Sequence, residues 1–203
     1  MELSDKGLQL ILDSEVGGGE RYYDKFLLHP TVPDPEGTSS GVTIGIGWDC
    51  GQNTEDSLVE EWGEYLEPSS VEDLKKVMGL KGMKAQAVLS VVAHIVIPWQ
   101  HALAQFTVFT VPRYWSRTSS AFPGIDRAPQ SVQETLLSLV FNRGTSMEGD
   151  RRREMRAIRD LVAASSWEQI PSMLRAMKRL WPDTPGLVTR REDEAQYIES
   201  ALA

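Results

Sequence analysis

A single cysteine, Cys50, denies this chain any intrachain disulfide framework, so its stability has to come from packing. Long apolar runs are missing too. The longest, Ala87 to Ile97 (AVLSVVAHIVI), is interrupted by Ser90 and His94 and closed by Pro98. It falls well short of the ~20 residues that span a bilayer, which predicts a buried core helix and no transmembrane segment. Histidine is scarce, and His29, His94 and His101 have no metal-ligand spacing with Cys50, which predicts no metal. Gly45 and Gly47 lack the third glycine and following helix of a dinucleotide loop, and no cofactor is expected. A basic, apolar-cored leader is also lacking, since the opening MELSDKGLQL carries acids. The expectation is a protein made in the cytoplasm without a secretory signal. Basic residues are rare in residues 1–74, which hold 17 acidic and 3 basic side chains, a net of −14. That imbalance argues against nucleic acid as a partner, because phosphate neutralisation needs a basic face. The remaining residues are net +6 and give the whole chain −8.

What is present is an ordinary globular composition, 41% hydrophobic and 25% charged over 203 residues. That length suits one domain, or two small lobes sharing a core, and a monomer is expected. Ser4 is placed to cap a helix whose apolar stripe is Leu8, Ile11 and Leu12. Gly17-Gly18-Gly19 should end it. Arg21 to Leu28 reads as an extended stretch, HPTVPDPEGTSSG as an exposed loop, and Gly41 to Trp48 (GVTIGIGW) as a strand. Everything after Thr54 reads as helical. Ser70 with Asp73 suggests a capping box, and helices are predicted near 82–97, 98–110, 130–142, 150–164, 167–181 and 187–202. The fold class expected is α+β, mainly helical, in one catalytic domain over 1–203. An α/β lobe over 1–65 would carry the site, with a helical lobe over 66–203.

Glu15 carries the first chemical signal. It lies seven residues after Leu8, so it returns to the apolar face near the C-terminal end of the first helix. Partial desolvation and the negative end of the helix dipole both favour a protonated carboxyl there. Such a group can donate a proton to a departing glycosidic oxygen. Asp24 follows on the stretch beyond the glycine turn, and Thr43 lies on a strand expected to return beside that stretch as a hairpin. An acid facing a second carboxylate makes a two-carboxylate site; a gap of about 6.5–9.5 Å would leave room for water and invert the anomeric centre. A hydroxyl such as Thr43 would orient that water.

Glu15, Tyr22-Tyr23-Asp24 and Gly41-Val42-Thr43-Ile44-Gly45-Ile46-Gly47, taken in order, resemble the active-site signature of the phage-type lysozymes, glycoside hydrolase family 24. Leu139-Val140-Phe141-Asn142-Arg143-Gly144 is similar to that family's helix-to-turn segment. Lys178-Arg179-Leu180-Trp181 with Pro185-Gly186-Leu187-Val188-Thr189-Arg190-Arg191 is similar to its closing helix. Between residues 55 and 125 the likeness extends only to helical character. GVTIGIGWDCG with RRREMRAIRDLV looks closer to a bacterial branch, the pesticin-like lysozymes and secreted antibacterial effectors.

The resemblance implies a lysozyme-like fold: a small β-hairpin lobe, a larger helical lobe, and peptidoglycan bound in a cleft between them. It implies a muramidase that hydrolyses the β-1,4 bond between N-acetylmuramic acid and N-acetylglucosamine. Glu15 would be the general acid, Asp24 the carboxylate that activates water or stabilises positive charge, and Thr43 the water-positioning hydroxyl. Tyr22, Trp48, Asn142 and Arg143 would bind substrate, Trp48 by stacking on a sugar. Arg190 or Arg191 would pair with Glu15. The sequence departs from the phage pattern in two places. Eighteen residues separate Asp24 from Thr43, an insertion that the proline-rich loop accounts for, and it leaves Glu20 and Asp34 as alternative carboxylates. Trp48 also stands where the phage enzymes commonly have His. A lytic transglycosylase, or a non-catalytic wall-binding module, fits the same scaffold. Action in the periplasm or cell wall would need a secretion system, as for an effector toxin with an immunity protein as partner, or a phage holin, as for an endolysin.

Overall fold

The structure, a computed structural model, describes residues 1–17, 19–37 and 39–203. Gly18 of the glycine turn and Thr38 of the proline-rich loop lie outside the described residues. The described chain is mainly helical with one small antiparallel sheet. In chain order the elements are α1 (Asp5–Glu15), α2 (Glu20–Phe26), β1 (Thr43–Ile44), β2 (Trp48–Asp49), α3 (Glu55–Trp62), α4 (Pro68–Lys75) and α5 (Gly82–Val88). They continue with α6 (Trp99–Gln105), α7 (Val111–Ala121), α8 (Gln130–Arg143), α9 (Arg153–Ala163), α10 (Ile170–Ala176) and α11 (Pro185–Leu202). No described helix is long and apolar enough to cross a membrane.

The chain divides into two compact units, one of residues 15–111 and one of residues 1–14 with 112–203. Compactness therefore separates the chain elsewhere than at 65/66. In the second of these units, α8 is buried nearly all round, from Ser131 to Val140. Helices α9, α10 and α11 pack with it through Ile158, Leu174 and Ile198. Burying such aliphatic side chains stabilises by about 1.5–3 kcal/mol each. Ser4 caps α1 as expected, its Oγ accepting from Gly7 N at 3.0 Å. The cap is itself tied to α8, because Glu134 accepts from Ser4 N at 2.6 Å and from Tyr197 OH at 2.5 Å.

The unit of residues 15–111 departs most from what its sequence pattern predicts. Residues 20–26 are helical, where an extended stretch was expected. Gly19 O accepts from Tyr22 N and Tyr23 N, so the chain turns straight into a new helix. There Tyr22 stacks on Phe26 one turn later, with ring centroids 4.7 Å apart. The GVTIGIGW segment is a hairpin in its own right. Thr43 pairs with Asp49 and Ile44 with Trp48, around a turn where Gly45 and Gly47 take φ of 57° and 74°. Those left-handed values come readily only to glycine. A Cβ at Gly45 would also stand 2.5 Å from the Trp62 ring.

The proline-rich loop is tied down as well as partly exposed, since Thr31 bridges to Thr43 and Gln52 Nε2 donates to Ser39 O. Thr31, not the Asp24 stretch, is what lies beside Thr43. The Ala87 to Ile97 run is not a buried helix. Helix α5 ends at Val88, a single 3₁₀ turn follows, and of the run only Val92, Ile95 and Ile97 are buried. Its carbonyls are used by other segments instead: Ile95 O accepts from His29 Nδ1 and Ile97 O from Tyr23 OH. Ser70 lies inside α4, because Pro68 already starts that helix, its fixed φ suiting the first turn. The helix predicted over 98–110 passes through a π segment at Phe106–Thr110 into α7. Pro112 has no N–H and crowds the carbonyl four residues back, and the widened turn accommodates it.

Candidate active site

Five of the seven sequence-predicted site residues belong to the unit of residues 15–111, namely Glu15, Tyr22, Asp24, Thr43 and Trp48. Glu15 is the last residue of α1 and is half-buried, as its place on the edge of the apolar face predicts. The turn after it is close-packed. A Cβ at Gly17, whose φ is 55°, would stand 2.6 Å from the Tyr22 ring. Tyr22 is 43% exposed and presents an aromatic face to solvent. Tyr23 is buried against Trp99, with centroids 5.3 Å apart. Burial first, and then the negative charge of Asp24, push the Tyr23 phenol well above its ordinary range. Asp24 itself is exposed on α2.

Thr43 is the most firmly held of the set. It exchanges both backbone hydrogen bonds with Thr31, at 3.0 and 2.7 Å, while its other neighbour across the ladder is Asp49. Its hydroxyl is half-exposed and donates to Gly41 O at 3.4 Å, a long bond. Asp49 is a residue that sequence reasoning passed over. Its Oδ1 accepts from Gly41 N at 2.9 Å and Gly51 N at 2.7 Å, closing the base of the hairpin. Its Oδ2 has no hydrogen-bond partner among the described residues. One carboxylate oxygen thus fixes the loop while the other stays available on the strand facing Thr43. The signal was in the sequence: six residues from Thr43 to Asp49 spanning two glycines is hairpin spacing.

Trp48 has no face to offer a sugar. It is 2% exposed, its indole N–H donates to Glu61 Oε2 at 2.8 Å, and it meets the Trp62 ring edge-on. Gln105 Nε2 donates to the same Glu61 oxygen at 2.8 Å and to Thr110 Oγ1 at 3.2 Å. This buried network links the hairpin to α3, α6 and the π segment, and it fixes the strand that carries Asp49. The neighbouring Cys50 thiol is pushed up to about 12 by burial and by the charge of Asp49, which leaves it protonated and unsuited to attack.

Asn142 and Arg143 belong to the other unit, at the C-terminal end of α8. Gly144, with φ of 68°, turns the chain away immediately after them. Arg190 and Arg191 are buried in α11, where both approach Glu194 Oε1, at 3.4 and 2.7 Å.

The carboxylates Glu15, Asp24 and Asp49 and the Thr43 hydroxyl stand on separate elements and are groups of the kind used in proton donation and water activation. Compared with known proteins, the sequence matches no family model and no curated protein.

Proposed function

We propose that this protein is a muramidase on a lysozyme-like fold, cutting the β-1,4 bond between N-acetylmuramic acid and N-acetylglucosamine in peptidoglycan. The observation that carries the reading is the hairpin, where Thr43 is held on both edges and faces Asp49 across the ladder. A hydroxyl and a carboxylate on adjacent short strands form a rigid cradle for one water molecule. Glu15, half-buried at a helix C-terminus, supplies the proton to the leaving oxygen. Asp49 joins Asp24 as a candidate for the carboxylate that activates the water. Its second oxygen is available and its backbone is anchored, whereas Asp24 sits exposed on a seven-residue helix. Tyr22, Asn142 and Arg143 serve substrate binding. Deployment as an antibacterial effector, or as an endolysin, follows from the chemistry of the target.

Mass spectrometry of digested peptidoglycan tests this. Products ending in reducing muramic acid are expected. Products ending in 1,6-anhydromuramic acid would overturn hydrolysis in favour of a transglycosylase, and no products at all would leave a wall-binding module. Asp49→Asn and Asp24→Asn then assign the base. The variant that loses about 10²-fold or more in turnover carries the role.

A further inference from the structure

In the unit of residues 1–14 and 112–203, an open pocket of about 390 Å³ is lined by Asn142, Arg143, Glu148, Arg151, Arg152, Trp181 and Leu187. Three of those seven side chains are guanidinium groups. Several other cations of this unit are neutralised: Arg153 and Arg179 both bond to Glu154, and Arg175 to Glu192 and Glu199. Arg143, Arg151 and Arg152 are different, because among the described residues no carboxylate lies within ion-pair distance of any of them. Arg152 Nη1 reaches only the thioether of Met155, at 3.4 Å, a weak acceptor. Arg143 lies 4.7 Å above the Trp181 ring and donates to Arg151 O at 2.6 Å. Its buried Nε has no hydrogen-bond partner, and neither does the buried Oδ1 of Asn142 beside it. Burial first, then the like charges of Arg152, Arg191 and Arg151, pull the Arg143 guanidinium down to about 10. Unpaired positive charge crowded around the orphaned Arg143 Nε donor is costly unless something negative occupies the space.

We propose that this pocket is an oxyanion site, receiving a carboxylate or phosphate group between Arg151 and Arg152, over the Arg143–Trp181 stack. The planar guanidinium fork matches both anions with two parallel N–H···O bonds. Trp181 holds Arg143 flat, so less freedom is lost on binding. The site stands on its own geometry. Only the natural source of the anion rests on the muramidase reading, under which free carboxylates of cell-wall peptides, or phosphates of wall polymers, are at hand.

The test is binding of inorganic phosphate to the full-length protein by calorimetry, with a thermal melt in phosphate against chloride at equal ionic strength. Phosphate is expected to raise the midpoint by about 2–4 °C beyond chloride. Arg151→Gln/Arg152→Gln, whose side chains are exposed and half-exposed, is expected to bind phosphate about tenfold or more weakly while melting like wild type in chloride. A peptide with a free terminal carboxylate and its amide separate the two sources. Protection by the acid but not the amide identifies a peptide carboxylate, and protection by phosphate alone identifies a phosphate ligand. No phosphate-specific shift, or a double variant that responds like wild type, would overturn the proposal. Because none of these readouts uses turnover, the site can fail or stand whatever becomes of the muramidase reading.

Discussion

The two compact units use charge in opposite ways. Residues 15–111 carry 14 acidic and 6 basic side chains, and five of those six bases are lysines. The other unit is balanced, with 15 of each sign, and 13 of its 15 bases are arginines. Burial follows the same division. Among the described residues the acidic unit buries one carboxylate, Glu61, whose Oε2 accepts from Trp48 Nε1 and Gln105 Nε2. The balanced unit buries Glu134, Glu154, Glu194, Arg190 and Arg191; guanidinium groups bond to Glu154 and Glu194, while Glu134 accepts from Ser4 and Tyr197. Arginine suits buried and bidentate pairing, while lysine keeps its compact charge in water. The acidic first third of the sequence thus belongs to the unit with the proposed catalytic carboxylates. Cations suited to an anionic polymer stand on the other unit, around Arg143.

That contrast is most easily broken at Glu194. Its Oε1 accepts from Ser138 Oγ at 2.8 Å and from Arg191 Nη2 at 2.7 Å, fully buried. Burial raises its tendency to hold a proton, and the two arginines oppose that. Glu194→Ala should destabilise by about 3–5 kcal/mol, because it removes a fully buried carboxylate that both guanidinium groups approach. Urea unfolding measures the loss, and a cost below ~1 kcal/mol would show that the balanced unit does not depend on its buried ions. Gly7→Ala comes next. A Cβ there would stand 2.2 Å from the Glu134 carboxyl carbon, and overpacking of that kind costs about 2 kcal/mol. Thermal melts should show it, and a neutral result would mean that the Ser4–Glu134–Tyr197 cluster yields freely.

In the acidic unit Glu61→Gln should cost about 1 kcal/mol or more, since the amide still accepts from Trp48 but loses the charge that strengthens the bonds it accepts. The Trp48 indole N–H resonance should shift with it; an unmoved resonance would sever the hairpin from the buried network. The smallest effect is expected at half-exposed Glu192. Bonds from Arg175, then Lys178 and Gln196, hold its carboxyl down to about 2. Its folded value is depressed, so the stability it adds is present above its unfolded value near 4.5 and fades as pH falls toward 2. A melt series over that window should flatten in Glu192→Gln, and an unchanged profile would remove Glu192 from the ion network.

How far the sequence could be read depended on which physical signal each segment carried. Helix α8 was legible almost to the residue, because Pro129 fixes its start and Gly144 its end. The Ser4 cap was legible for the same local reason. Helix α2 was not, since Tyr22 and Tyr23 in succession resemble a strand, while the turn at Gly19 that launches the helix has no side chain to signal it. GVTIGIGW alternates like one strand, and only the positive φ at Gly45 and Gly47 folds it into two. That misreading hid Asp49, because a single strand would place it beyond the end and not opposite Thr43. The place of Glu15 at the end of α1 and of Asn142 and Arg143 at the end of α8 was legible from local pattern. The burial of Trp48 and the clustering of Arg151 and Arg152 with Trp181 depend on tertiary packing, which no local pattern encodes.

Replacing the proposed acid tests the account most directly. Glu15→Gln keeps the shape of the side chain at the end of α1 and removes its proton, so the melting midpoint should stay close to wild type. Turnover of purified peptidoglycan, followed as release of new reducing ends, should fall by about 10²–10⁴-fold. A folded Glu15→Gln protein that cleaves at the wild-type rate would contradict the central claim.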